Sequence, residues 1–211
     1  MNAIVLACSG PSLDPTQVLE SEHQVVVIST AIRSLYNVAS RLPEFWAFID
    51  PINKSHGTEG LQAAQDDRII KIIPHKFHAN DEGGRLHGRK LHKAGIELPI
   101  TDKVTRFKYQ KPETNQVPHA LWKTVCFASA WAVSIGYDTL IYAGCDLARP
   151  NEWSYGIRDD EPQSVALEAK RTHQQSKTLA GLQMFRENNQ DIRMVSWTPD
   201  SRINEFMETQ L

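Results

Sequence analysis

Four stretches of the sequence carry residue types able to do chemistry. The first is Cys8-Ser9-Gly10-Pro11-Ser12, where the apolar run Ile4-Val5-Leu6-Ala7 stops at small hydroxyl residues, a glycine and a proline. A strand ending this way can turn backbone N–H groups toward an anion. Gly10 leaves room for close approach, and Ser9 and Ser12 can each add a hydroxyl. The pattern is neither G-x-x-x-x-G-K-[ST] nor G-x-G-x-x-G, and no lysine follows to meet terminal phosphates. That counts against a P-loop kinase, and taken alone the stretch reads more readily as a plain strand-to-helix turn. The second and third stretches hold Asp50, in FIDP, and Asp146, in AGCDLA, each just past an apolar run. The carboxyl ends of an open parallel sheet line its ligand crevice, so Ser9, Asp50 and Asp146 belong on one rim. Aspartate is also common there for capping and turns alone. The fourth is His173, in KRTHQQSK, alone where an irregular stretch gives way to a long helical pattern. A solitary histidine is more often structural. At the opening of a helix, however, the dipole favours a neutral imidazole, the form a general base requires.

Other groups point less clearly. His75, His78, His87 and His92 match no usual zinc spacing and have no cysteine among them, so a solvated basic loop is the better reading. With Arg85, Arg89, Lys90 and Lys93 that loop could attract an acidic substrate. No Asp-x-Asp pair of the kind that holds a metal on a nucleotide sugar is present, and no metal ligands are assigned. Cys8, Cys126 and Cys145 are odd in number and each lies in or beside an apolar run, which suits reduced, buried thiols in a cytoplasmic protein.

The elements that would position these residues follow from the apolar runs. Candidate strands are Ala3–Ala7, Val25–Ser29, Trp46–Ile49, Ile69–Ile73, Leu140–Ala143 and Arg193–Ser196. Several are continuous, such as VVVI and LIYA, as expected of parallel strands buried on both faces. Helical patterns cover Ala31–Ala39, Ser55–Gln65, Ala120–Ser134 and Gln163–Asn188, and Ser201 stands at a cap position in the tail. The alternation predicts a Rossmann-like, doubly wound α/β fold with a mainly parallel sheet and helices on both faces. All 211 residues, 41% hydrophobic and 23% charged, suit one such nucleotide-binding domain. It carries an irregular basic insertion over about 74–118 and a short lid over about 147–172. A net charge of −2 provides no global field for nucleic acid, no apolar stretch is long enough to span a bilayer, and no basic-then-apolar signal peptide opens the chain. Nothing here fixes the oligomeric state.

Three blocks of the chain resemble the bacterial sialyltransferases of glycosyltransferase family 42. They are IVLACSGPSLD, KTVCFASAWAVSIGYDTLIYAGCDLA and HQQSKTLAGLQMFRENNQDIRMVSWTPDS, in the family's order and covering about a third of the chain. The chain is similar more distantly to the Rossmann-like group that includes the hydroxymethylpterin diphosphokinase-like proteins. The resemblance implies a general-base role for His173, deprotonating an acceptor hydroxyl. It implies that Ser9, Gly10 and Ser12 form the donor loop, and that Tyr155 lies near the leaving phosphate of a cytidine donor. Asp50 stands where the family has an asparagine in the nucleotide site. Thr124 falls on a serine opening the central helix, and Asp146 on the Gly-x-Asp aspartate. Lys123 can add charge beside the phosphate. The sequence departs from the family at Ser9, which replaces an asparagine, and at Ala148, which replaces a second tyrosine. The expectation is a cytoplasmic, metal-independent glycosyltransferase taking a nucleotide-activated, CMP-sugar-like donor and a hydroxyl-bearing acceptor, with no required cofactor. Two alternatives stand beside it. One is an ATP-dependent diphosphokinase-like transferase, which would need magnesium on carboxylates such as Asp50 and Asp146. The other is a non-catalytic nucleotide-binding protein of the same fold.

Overall fold

Continuous apolar runs need cover on both faces, and a parallel sheet with helices on each side provides it. The computed structural model describes residues 2–36, 38, 41–49, 56–74, 103–108, 123–147 and 165–210. Eight strands form one sheet: β1 (Ala3–Ala7), β2 (Gln24–Ile28), β3 (Phe45–Ala47), β4 (Ile70–Pro74), β5 (Val104–Phe107), β6 (Thr139–Ala143), β7 (Arg193–Ser196) and β8 (Glu208–Thr209). Their order is β5-β4-β3-β2-β1-β6-β7-β8, and every pairing is parallel. Six of them lie within one or two residues of the expected runs. The fold is the Rossmann-like doubly wound sheet that the alternation predicts.

Neighbouring residues of each strand serve opposite cores. Val5, Ala7, Val25, Val27 and Trp46 pack beneath α1 (Pro15–Glu20), α2 (Ile32–Leu35) and α3 (Gly57–Gln65). Ile4, Leu6, Val26, Leu140 and Tyr142 pack against α4 (Thr124–Ser134) and α5 (Val165–Asn188), which contribute Phe127, Trp131, Leu182 and Phe185. Helix α1, which the apolar pattern does not reveal, starts at an Asp14 side chain that accepts from Thr16 N at 2.9 Å and Gln17 N at 3.1 Å, with Pro15 in its first turn. Among the described residues no helix is long and apolar enough to cross a membrane.

Three expectations are corrected. The insertion expected over 74–118 contains β5, an edge strand of the same sheet paired to β4 through Lys71 and Val104. The helix expected over Ala31–Ala39 is a 3-10 turn, Ser29–Ala31, followed by the single α turn of α2. The helix expected over Gln163–Asn188 is α5, which begins at Val165 and takes in the end of the stretch expected as a lid, of which residues 148–164 lie outside the described residues. His173 therefore does not open a helix: it stands in the third turn, beyond the first-turn reach of the dipole. The tail cap is borne out, since the Ser201 side chain accepts from Ile203 N at the start of a 3-10 turn.

Candidate functional site

The described part of the site is a junction between the loops that leave β1 and β6. These strands pair with Ala7 beside Ala143, and the ladder continues past both ends. Cys8 N donates to Ala143 O at 2.8 Å, and Gly10 N donates to Gly144 O at 2.8 Å. Ser12 closes the junction: its backbone N–H, at 3.1 Å, and its hydroxyl, at 2.9 Å, both donate to Oδ2 of Asp146. A Cβ on Gly10 would lie 2.0 Å from Asp146 Oδ2 and 2.4 Å from Gly144 O. Gly10 thus makes room for the protein's own carboxylate and carbonyl rather than for a ligand. The N–H groups of Gly10 and Ser12, expected to face an anion, are engaged inside the junction.

The third side is braced by the chain leaving β7. Cys145 N donates to Thr198 Oγ1 at 2.9 Å. The Ser201 hydroxyl donates to the carbonyls of Cys145, at 2.6 Å, and Asp146, at 3.0 Å. Both hydroxyl residues are buried. Sequence reasoning assigned neither to the site, although Thr198-Pro199-Asp200-Ser201 follows the last apolar run much as Ser9-Gly10-Pro11-Ser12 follows the first. The same signal marks Ser29 and Thr30 after β2, and Thr30 Oγ1 donates to Ser9 Oγ at 3.2 Å.

Helix α4 brings its amino end to this rim. Its carboxyl end leads to Asp138, whose N–H meets Asn2 O at the foot of β1. Its 11 residues rise about 16 Å, much the same as the five-residue strand beside it. Cys126, in the first turn, is buried in the same core as Cys145, and Cys8 packs against that core. The first intrahelical bond runs from Phe127 N to Lys123 O, so the amides of Thr124, Val125 and Cys126 lack helical acceptors, and Lys123 makes no side-chain cap. These oriented amides form an anion-favouring end. Lys123 Nζ donates to Gln174 Oε1, which ties α5 to the same place. His173, next to Gln174, lies 15 residues from the Asn188 end of the helix, hence roughly 22 Å along an axis that starts near the foot of the sheet. Its side chain is exposed, and its neighbour Gln174 sets it near the amino end of α4.

The three cysteines share the core that α4 covers, Cys126 and Cys145 within it and Cys8 packed against it. Hydrogen bonding with Cys145, then burial, pushes the Cys8 thiol up. Burial pushes Cys126 up to about 12. Cys8 and Cys126 are thereby kept protonated and unreactive; Cys126 and Cys145 are buried, whereas Cys8 is only half-buried.

Ser9, Gly10, Ser12 and Asp146 are thus brought together, with Lys123 and Thr124 opening α4 on the same rim and His173 next to the Gln174 that Lys123 meets. Asp50, Tyr155 and the histidines of the basic loop lie outside the described residues. Among the described residues no group of histidine, cysteine, aspartate or glutamate could hold a metal ion.

Sheet order and junction together define a doubly wound α/β protein whose strand order reverses between β1 and β6. Solved structures with this fold include the sialyltransferase CstII of Campylobacter jejuni. Its complex with the substrate analogue CMP-3FNeuAc is 15% identical over 99% of this chain and 86% of that one, with a TM-score of 0.57. Its complex with cytidine-5'-monophosphate gives 14% identity, 99% and 85% coverage and a TM-score of 0.59. The MAf glycosyltransferase of Magnetospirillum magneticum is 12% identical over 99% of this chain but only 33% of its own, with a TM-score of 0.54. No protein-family profile matches the chain, and no curated protein matches by sequence. The chain has the sialyltransferase-like fold that its motifs resemble.

Proposed function

We propose that the chain is a glycosyltransferase that takes a nucleotide-activated, CMP-sugar-like donor and passes the sugar to a hydroxyl-bearing acceptor without a metal ion. The observation that carries this reading is the junction itself. Gly10 and Asp146 are locked together where the strand order reverses, and the uncapped amino end of α4 faces the same rim. Solved proteins with this fold hold CMP or a CMP-sugar analogue, which supports cytidine as the first base to test.

In this reading the donor phosphate sits against the amides of Thr124, Val125 and Cys126. Lys123 adds charge, Ser9 and Tyr155 add hydroxyls, and Asp50 and Asp146 stand at the nucleotide. His173 accepts the proton of the acceptor hydroxyl as its oxygen bonds to the anomeric carbon, and the bond to the donor phosphate breaks, releasing the nucleotide. The exposed side chain of His173, next to the Gln174 that Lys123 meets, suits an acceptor arriving from solvent. Removing a general base typically costs on the order of a hundredfold or more in rate. We expect His173→Ala to lose transfer by at least that factor while CMP, titrated by calorimetry, binds as it does to the unchanged chain. Intact transfer in the variant would overturn the assignment.

A second reading is favoured by the engagement of Ser12 and Gly10 within the protein: a nucleotide-binding protein that does no chemistry. A thermal-shift screen with CTP, CMP, UDP, GDP and ATP, with and without magnesium, separates these readings, because a ligand of the native state raises its melting temperature. A CMP shift with transfer supports the enzyme, and a shift without turnover supports the binding protein. Magnesium-dependent consumption of ATP supports the diphosphokinase-like alternative.

A further inference from the structure

A second polar corner lies one strand away from the junction. The chain leaves β2 at Ser29, whose φ of 49° falls in the left-handed region that a residue with a Cβ seldom adopts. Two groups hold it there. The Trp46 indole Nε1 donates to the Ser29 carbonyl at 2.9 Å, and His56 Nε2 lies 3.5 Å from the Ser29 hydroxyl. His56 is 1% exposed, and its ring meets Trp46 edge-on with centroids 5.9 Å apart. Gly60, one turn further on, makes the seat for this ring, since a Cβ there would come 2.5 Å from His56 Cβ. An imidazole buried this deeply is costly unless its nitrogens bond to something, so a purely space-filling role would suit a leucine better. The consequence appears at the next residue. With Ser29 turned left-handed, Thr30 directs its hydroxyl to Ser9 at 3.2 Å. Buried imidazole, strained serine, threonine and loop serine thus form one chain of contacts into the rim.

We infer that His56 is a positioning residue. Through the Ser29 hydroxyl it fixes the Ser29–Thr30 corner, and through Thr30 it sets where Ser9 stands. The ligand class served by the fixed corner, a nucleoside monophosphate, rests on the function proposed above, whereas the positioning itself rests on geometry alone.

Hydrogen exchange of the ligand-free chain tests the positioning. His56→Leu and Ser29→Ala should each speed exchange in the peptides covering residues 28–32 and 8–12 and leave β6 and β7 as protected as before. His56→Gln, which restores a polar group toward Ser29, should stay close to the unchanged chain. The double variant should be no faster than either single one, as expected of two residues acting through one contact. In a parallel CMP titration, His56→Leu should weaken binding about tenfold and His56→Gln far less. Exchange at the corner that is unchanged in His56→Leu, or raised evenly across the sheet, overturns the proposal. If His56→Leu does not fold, Ser29→Ala decides by the same pattern. If the unchanged chain binds no CMP but the exchange pattern appears, the donor reading fails and the positioning role stands.

Discussion

One missing carbon holds the junction together. A Cβ on Gly10 would come within 2.0 Å of Asp146 Oδ2 and 2.4 Å of Gly144 O. Neither neighbour can retreat cheaply, because Gly144 O accepts from Gly10 N and Asp146 is held by both donors of Ser12. Gly10→Ala must therefore open the junction, at a cost of about 1–3 kcal/mol typical of overpacking, and CMP binding should go with it. Gly136 makes the control. Its φ is 100°, but nothing lies within 4 Å of its Cβ position. Gly136→Ala should cost only backbone strain, about 1–2 kcal/mol, with CMP binding kept. Urea unfolding and CMP calorimetry on both variants check this, and equal behaviour of the two would show that the contact is not what Gly10 is for. The sequence singled out Gly10, Ser12 and Asp146 separately as rim residues. It could not show that they bind each other, since Ser12 and Asp146 are 134 residues apart and no local pattern spans that distance. Ser29 and His56 escaped for a related reason: a positive φ and a buried contact leave no periodicity in the chain.

Between single residues and the sheet lie the elements, and here some misses were avoidable. Asp14-Pro15 is a helix start written in cap chemistry, and reading only apolar periodicity passes over it. β5 and β8 are different. Val-Thr-Arg-Phe is short, half-exposed edge, and Glu-Thr is only two residues long, so neither carries the buried run that betrays β1 or β6. The joint between α3 and β4 makes a prediction of its own. Arg68 donates to both oxygens of Asp66, at 2.9 and 2.6 Å, and Tyr36 OH donates to Oδ2 at 3.1 Å. Arg68, the largest cause, holds the Asp66 carboxyl down at about 2, against an ordinary 3.8. Between these values the unfolded chain binds the proton and the folded chain does not. The stabilisation is therefore complete above about pH 4 and is lost as pH falls toward about 2. Arg68 is 72% exposed, so water screens the pair and the contribution is about 1 kcal/mol rather than the full value of the shift. Asp66→Asn should lower stability by that amount near neutral pH and flatten the difference from the unchanged chain near about pH 2. Urea melts along that pH range measure it, and a difference that persists at the acid end would contradict the ion pair as its source.

For the molecule as a whole, the strand order decides where a ligand can enter. The chain lays β1 to β5 outward in one direction, then returns to place β6, β7 and β8 on the other side of β1. Alternation along the chain makes a doubly wound sheet legible, but the point of return depends on how the crossovers pack, which no single element encodes. The adjacent strands β1 and β6 send their following helices to opposite faces, α1 onto one core and α5 onto the other. The strand order reverses there, which is where a doubly wound sheet sets its ligand crevice. At the foot of the sheet the chain is tied shut instead: Asn2 meets Asp138 and Gly136, and Arg41 gathers the carbonyls of Ser21 and His23. A nucleotide should therefore perturb one end of the molecule only. In a CMP titration followed by amide NMR, shifts should concentrate at Ser9, Gly10 and Ser12, at Thr124 to Cys126, and at Gly144 to Leu147. Amides of Asn2, Gln24, Asp138 and Arg193, at the foot, should not move. The α4 amides discriminate most sharply, because they lack helical acceptors and a phosphate bonding to them should shift them downfield, whereas the Gly10 and Ser12 amides already have partners and should respond only through the junction. Shifts centred on the β5 or β8 edge, or at the foot of the sheet, would mean that the crevice between β1 and β6 is not the nucleotide site.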